Sequence, residues 1–374
     1  MRYAYGCRAR VVMSDPGSEV AAGLTEAERD ILRKSVRDFL ASAWPPDESV
    51  ENAGDAAATA ALWRGMARQG LTALGSGGDG TGTREILLVF EELGRAACPA
   101  PLLGAVAANL VLSRQSSNAA QALRDDIHQG KAAIALALGA FDGDPAAGGI
   151  VLHGEIARGE LRFVEGAGAA THLLAFTDAP VGVACIAAGA PGVNIRPTPG
   201  LAVPPFSNIV LDGVSAVRLN TARDTLEETA AVARLACAGR ALGAAQRAFD
   251  LAVEHSKVRK QFGQLIGQFQ AVQHKLADCL IGLDGARLAL DSAAEARDAG
   301  NADWPVFASA AVAFAGPALR DVSIETHRAL GAIGYAEEHE APRHFRRVHA
   351  DLVRFGGAPR ARAELADYLL GPVQ

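Results

Sequence analysis

The feature that most constrains this chain is a change of texture along it. From Ala132 to about Leu219 the apolar residues come in short runs punctuated by Gly, Pro and Asp, whereas on either side they recur at helical spacing. The runs Ile134 to Leu138, Ile150 to His153, Leu161 to Val164, His172 to Phe176, Val183 to Ile186 and Ser207 to Leu211 predict strands of a small antiparallel β-domain. Before them, Thr25-Glu-Ala-Glu28 reads as a capping box, and Leu24, Ile31, Leu32, Phe39 and Leu40 share one face of the helix it starts. Further helices are expected over Trp63 to Leu74, Arg84 to Cys98 and Leu102 to Leu112, set apart by the Gly75 to Gly82 loop and by Pro99 and Pro101. After Thr225 the helical period returns over Glu227 to about Val258, Gln270 to about Ala299, Trp304 to about Leu330 and Ala341 into Phe355. The expected fold is α+β. An extended or disordered N-terminus spans 1–23, a helical domain 24–130, an antiparallel β-domain 131–222 and a four-helix bundle 223–374.

With 374 residues the chain exceeds one ordinary core, which agrees with several units. A net charge of -6 without a basic run argues against nucleic acid as partner. No apolar segment reaches the ~20 residues of a membrane span, and no signal-peptide core follows Arg2, Arg8 and Arg10, so a cytoplasmic protein without membrane insertion is expected. The cysteines Cys7, Cys98, Cys185, Cys237 and Cys279 are too scattered for a zinc site or a disulfide framework. His327, His339, His344 and His349 lack the i, i+4 spacing of a helical metal site, and no metal is expected. The Gly75 to Gly82 loop has no preceding strand and no P-loop lysine, so it reads as an interhelical turn. No Gly-x-Ser-x-Gly elbow is present for acyl transfer.

The sharpest motif is the stretch Arg259-Lys-Gln-Phe-Gly-Gln-Leu-Ile-Gly-Gln-Phe-Gln270, read as helical and continued by Ala271 to Asp278. A second is the glycine-rich Gly331-Ala-Ile-Gly-Tyr-Ala-Glu-Glu-His339. With Trp63 to Gly70, Glu91-Glu-Leu-Gly94, Pro99-Ala-Pro-Leu102 and Ala244 to Asp250 in matching order, the chain from residue 24 to about 370 resembles the FAD-dependent acyl-CoA dehydrogenase family. The resemblance implies that Arg259 reaches across a subunit interface to the FAD pyrophosphate and that Phe262 lies against the adenine, with Gln261 and Gln270 as polar neighbours. A planar guanidinium and an aromatic face suit those tasks. It also implies that Arg328, Gly331, Ala332 and Gly334 form the turn that approaches a neighbouring subunit's flavin, where glycine permits close approach. Arg234 is the implied substrate contact. The same residues without the resemblance fit a solvated helix end, with Phe262 in the core.

In that family a carboxylate removes the α-proton of an acyl-CoA while the β-hydrogen leaves as hydride to the flavin. The two positions that hold the glutamate correspond here to Ala233 and to Arg354 or Phe355. Arg328 stands where glutamine is usual, and Leu138-Gly-Ala-Phe-Asp-Gly-Asp144 replaces the flavin-contacting signature of the β-domain. What acts across the interface is retained and what acts within the subunit is eroded. The resemblance is therefore closest to the glutamate-lacking subunit of two-gene bacterial members. It implies a homo- or hetero-oligomer, dimer or tetramer, with a homologous subunit, and electron-transfer flavoprotein as acceptor in lipid catabolism. The sequence is compatible with two rival readings. One places the base elsewhere, with Asp351 as a weak candidate beside Glu338 and Glu340, all otherwise read as exposed acids. The other is an acyl-CoA-binding or scaffold homologue that has lost flavin. The small residues from Ala230 to Leu242 are compatible with a bulky or ring-bearing acyl group.

Overall fold

A computed structural model describes residues 23–46, 48, 52, 55–77, 81–139, 147–178, 181–198 and 206–371. The N-terminal extension to residue 22 and most of the Leu138 to Asp144 segment lie outside these residues. Helices come first: α1 (Glu26–Ala43), α2 (Ala56–Arg68), α3 (Thr83–Arg95), α4 (Leu102–Leu112) and α5 (Asn118–His128). The capping box at α1 is formed, with the Thr25 N–H donating to Glu28 Oε2 at 2.7 Å and the Glu28 N–H to Thr25 Oγ1 at 3.3 Å. The helix expected over Trp63 to Leu74 starts earlier, at Ala56, and stops at Arg68, because Gly70 takes a left-handed turn (φ 76°) into the short 3₁₀ segment Leu71–Ala73. Apolar except for Asn109, whose amide donates to the Thr72 and Leu74 carbonyls, α4 is buried along its whole length. A Cβ on Gly104 would lie 1.8 Å from the Ile134 carbonyl oxygen, so glycine is what lets α4 touch the first strand.

Among the described residues eight strands follow: β1 (Ile134–Ala137), β2 (Gly148–His153), β3 (Ile156–Glu165), β4 (His172–Asp178), β5 (Val181–Ala187), β6 (Val193–Pro197), β7 (Phe206–Ser215) and β8 (Val217–Leu219). They make two four-stranded sheets, ordered β1-β4-β5-β8 and β2-β3-β7-β6. Every ladder is antiparallel except β1 with β4, which is parallel because the chain returns to β1 only after crossing to the other sheet and back. Small and branched side chains from both sheets, among them Ala137, Leu161, Ala175 and Ile209, fill the space between them. Strand β6, unforeseen in the sequence, is an edge strand that buries little, and β8 has only three residues; neither carries an apolar run.

The C-terminal helices are α6 (Arg223–Val258), α7 (Gln270–Asp298), α8 (Trp304–Leu330), α9 (Ala341–Val353) and α10 (Gly357–Leu370). Helix α8 packs against α6, α7 and α10, and α9 lies on α6. The helix expected to run from Ala341 into Phe355 stops at Val353, because Phe355, Gly356 and Gly357 take φ of 54°, 76° and 47° and turn the chain into α10. Helix α6 crosses α3 at near backbone contact: a Cβ on Gly243 would sit 1.7 Å from the Glu91 oxygen, and one on Gly94 1.8 Å from the Arg240 oxygen. The small residues around Ala230 to Leu242 are mostly buried in helix packing, while Ala230 and Ala231 also line a cavity beside Arg234. Among the described residues no helix is long and apolar enough to cross a membrane.

Candidate functional site

The Arg259 to Gln270 stretch is not helical. It forms a tight hairpin, β9 (Lys260–Gln261) against β10 (Gln264–Leu265), followed by the 3₁₀ turn Ile266–Gln268. Phe262 and Gly263 make the two-residue tip with φ of 51° and 82°, a loop that needs positive φ at both positions. The periodicity of the flanking helices hid this break; the Phe-Gly pair was its local signal. The hairpin holds the Phe262 ring 94% exposed, edge-on to Phe269 at 6.2 Å between centroids. Arg259, Gln261 and Gln270 are also exposed, and the Arg259 guanidinium makes no ion pair among the described residues.

At the same end of the bundle, Leu330 packs with Leu251, Ala252 and Ala341, next to Leu276 of α7. The glycine-rich turn starts one residue later. Gly331 has φ 62° with open space where a Cβ would point, Ala332 is exposed, and Gly334 is buried against Leu330 and His327. Arg328 is exposed and donates to Glu325 at 2.6 Å. The Arg259 guanidinium, the Phe262 ring and the Gly331 backbone all face outward. The neighbouring histidines stack with aromatic rings, His327 on Phe345 at 4.5 Å and Phe345 on His349 at 4.2 Å.

The base positions are elsewhere. Ala233 is 2% exposed in the core beside Cys237 and Phe355. Arg354 lines a cavity of about 310 Å³ between the sheets and α9, walled by Leu136, Leu138, Phe163, Phe206 and Phe355. This cavity brings together the start of the altered Leu138 segment and the second base position, which lie far apart in sequence. Arg354 connects this cavity to a buried charged cluster that does not itself line it. Arg240 holds Glu165 through two bonds of 2.9 Å and Asp351 through bonds of 2.8 and 2.6 Å; Arg347 faces Glu165 at 3.4 Å and Asp351 at 3.7 Å; Arg354 pairs with Glu165. Glu165 ends β3, Arg240 is midway along α6 and Arg347 and Asp351 are on α9, so the cluster joins the β-domain to the bundle.

Asp351 is therefore no exposed acid: its side chain is 1% accessible and spent on two guanidinium groups. Glu340 is partly buried, accepting from Arg247 at 2.5 and 3.2 Å and facing His344 Nε2 at 3.2 Å. Burial pushes its carboxyl up, but His344 and Arg247 overcome that and hold it at about 2. Only Glu338 of the three is exposed. Arg234 faces away from all of these, bonded at 2.8 Å to Glu364, which also accepts from Ser309 at 2.6 Å and Arg360 at 2.9 Å, beside a separate cavity of about 640 Å³. Burial raises the Glu364 carboxyl, yet Arg234 leads the contacts that bring it below the usual range. The Glu165–Arg240–Asp351–Arg347 cluster escaped the sequence reading; its one signal was a lone arginine at 240 in a run of Ala, Gly and Leu.

Comparison with known proteins decides the family. The acyl-CoA dehydrogenase N-terminal domain model matches residues 26–124 and the C-terminal domain model residues 223–362. This chain belongs to the acyl-CoA dehydrogenase family. It is 32% identical to acyl-CoA dehydrogenase IpdE2 of Mycobacterium tuberculosis, over 86% of this chain and 91% of that protein. The counterpart from Mycolicibacterium smegmatis is 29% identical over 88% and 94%. Among solved structures, the Tcur3481-Tcur3483 steroid acyl-CoA dehydrogenase G363A variant superposes with a TM-score of 0.81 at 27% identity, covering 92% of this chain and 98% of that one. The ChsE4-ChsE5 complex of Mycobacterium tuberculosis shares the fold, with a TM-score of 0.82 at 24% identity. The helical, β and helical order is thus the fold of this family.

Proposed function

We propose that this chain is the non-basic subunit of a heteromeric, FAD-dependent acyl-CoA dehydrogenase, which desaturates an acyl-CoA to the 2-enoyl-CoA. The observation that carries this reading is an asymmetry. The hairpin and glycine turn remain free and outward-facing, while the base position nearer the cavity holds Arg354, paired with Glu165. FAD fits the outer surface. Arg259 is a guanidinium without an ion pair among the described residues and suited to a pyrophosphate, Phe262 is an exposed ring suited to an adenine, and Gly331 leaves open the space a Cβ would fill. Gln261, Gln270, Arg328, Ala332 and Gly334 would frame that half-site. When bound, FAD supplies the hydride acceptor; the carboxylate that takes the α-proton would come from the homologous partner.

The exposed apolar residues Ile281 and Leu288 on α7 and Phe307 and Phe314 on α8 give such a partner a face to cover. The relatives whose names contain steroid acyl-CoA dehydrogenase and two paired chains support a ring-bearing acyl group and a two-chain assembly. Electron-transfer flavoprotein is the acceptor this reading expects. Arg234, held by Glu364 and away from the Arg354 cavity, stays a candidate for CoA contact only through the other cavity.

The test is to purify the chain alone and together with a family member that carries the catalytic glutamate, then measure flavin content and thioester-dependent flavin bleaching. Both should be found in the complex and be near background for the lone chain. Full FAD occupancy with turnover by the lone chain would sink the proposal. A colourless complex that binds acyl-CoA would favour the scaffold homologue instead.

A further inference from the structure

Behind the Arg259 hairpin, the last turns of α6 bring a histidine to the same edge of the bundle. Leu251, His255 and Arg259 are each four residues apart, so they share one stripe of the helix and of the residue that caps it. The foot of that stripe is fixed, because Leu251 and Ala252 pack with Leu330 and Ala341, the residues that flank the glycine turn and open α9. Its top is fixed by backbone bonds: the Arg259 N–H donates to the His255 carbonyl at 2.9 Å, and the Arg259 carbonyl accepts from the Ile266 N–H at 2.9 Å. The half-buried His255 ring makes no hydrogen bond among the described residues. His339 comes from the segment before α9; its Nδ1 accepts from the Ala341 N–H at 3.1 Å, so the neutral ring carries its proton on Nε2.

Burial, then the charge of Arg259 and that of His339, hold the His255 imidazole below its ordinary range. The other charges at this end of the bundle are engaged or in solvent. Glu340 is held by Arg247 and His344, Glu337 by Arg346, and Glu325 by Arg328 and Lys275. Arg343 turns towards the Pro46 carbonyl, and His327 lies on the Phe345 ring. Glu254 and Lys257 on α6, Lys260 on the hairpin, His274 on α7 and Glu338 are exposed, and the Ile266–Gln268 turn carries no charge. A single guanidinium is thus the main charge that keeps His255 neutral. An anion seated on Arg259 cancels that charge and favours the imidazolium instead.

We propose that His255, with His339 beside it, is a further group of the diphosphate half-site, so that FAD is taken up together with a proton and held more tightly in mild acid. The proposal rests on the flavin half-site described above and adds a residue and a pH dependence to it. A group whose titration is raised on binding strengthens binding fully below its free value, and the gain is lost as pH rises through the bound value; one unit corresponds to about tenfold.

The test is a proton NMR titration of the His255 ring in the lone chain, its signal identified by its loss in His255→Gln. ADP-ribose, which carries the adenine and a diphosphate of fixed charge but no flavin, should raise the midpoint by about one unit. Arg259→Gln should raise it in the free chain without any ligand. In the two-chain complex the FAD dissociation constant should fall about tenfold between about pH 8 and about pH 5.5, and His255→Gln should flatten that profile. A role in packing alone would shift the constant equally at every pH. A midpoint unmoved by ADP-ribose or by Arg259→Gln, or a profile that keeps its slope in His255→Gln, would overturn the proposal. A complex without flavin would instead count against the two-subunit reading, and the lone-chain titration would still decide the part played by His255.

Discussion

Asp351→Asn separates a structural acid from a catalytic one. In the wild type Asp351 accepts two bonds from Arg240, at 2.8 and 2.6 Å, and lies 3.7 Å from Arg347, with both partners and the acid itself about 1% accessible. The amide keeps the shape but removes the charge, taking from Arg240 and Arg347 one of the two carboxylates they share. Its NH₂ group would also point a donor at a donor. Breaking a buried pair in this way costs about 3–5 kcal/mol, because the partner's charge stays buried and uncompensated. With a urea dependence of about 3 kcal/mol per molar, the unfolding midpoint should fall by about 1 M or more. Urea melts followed by circular dichroism measure this on the chain alone, and turnover is measured in complex with the glutamate-bearing partner. A base would behave otherwise: the midpoint would hold and turnover would fall by about 10²–10⁴. An unchanged midpoint with lost turnover would refute the structural assignment of Asp351.

Two other perturbations follow from the geometry. Glu340 is held at about 2 in the folded chain, below its ordinary 4.5, so its stabilisation is full above the unfolded value and is lost as pH falls through the folded one. About 2.5 units correspond to roughly 3 kcal/mol; the melting temperature of Glu340→Gln should lie well below that of the wild type at pH 7, and the two should converge as the pH drops from about 4.5 towards 2. Gly243→Ala places a methyl group 1.7 Å from the Glu91 oxygen and should force α3 and α6 apart, at a cost of about 3 kcal/mol or more, read as lost soluble yield or a lowered melting temperature. Gly149→Ala, with open space around its Cβ, is the control and should change stability by less than about 0.5 kcal/mol.

The sequence revealed the fold through features that act locally. The Thr25–Glu28 capping box, the largely apolar Leu102–Leu112 helix and the punctuated strands were legible because each is decided within a few residues. The Arg259 hairpin was misread as helix because Gln, Leu and Ile there suit a helix, and only the positive φ of Phe262 and Gly263 breaks it. The parallel β1–β4 pair and the edge strand β6 depend on contacts between distant segments and leave no periodic mark. The same holds for the candidate site. Its outer motifs were readable because they are contiguous, whereas Glu165, Arg240, Arg347 and Arg354 meet only after three parts of the chain have packed.

The most direct test of the central claim is the flavin count of the two-chain complex, with and without Arg259→Gln in this chain. One FAD per pair of subunits, held in the partner, is expected. Arg259→Gln should weaken FAD retention by about 10- to 100-fold, the worth of a charge-assisted contact of roughly 1.5–3 kcal/mol, while the exposed position of Arg259 leaves the fold of the chain unchanged. Two FAD per pair, or a flavin content indifferent to Arg259→Gln, would contradict that claim.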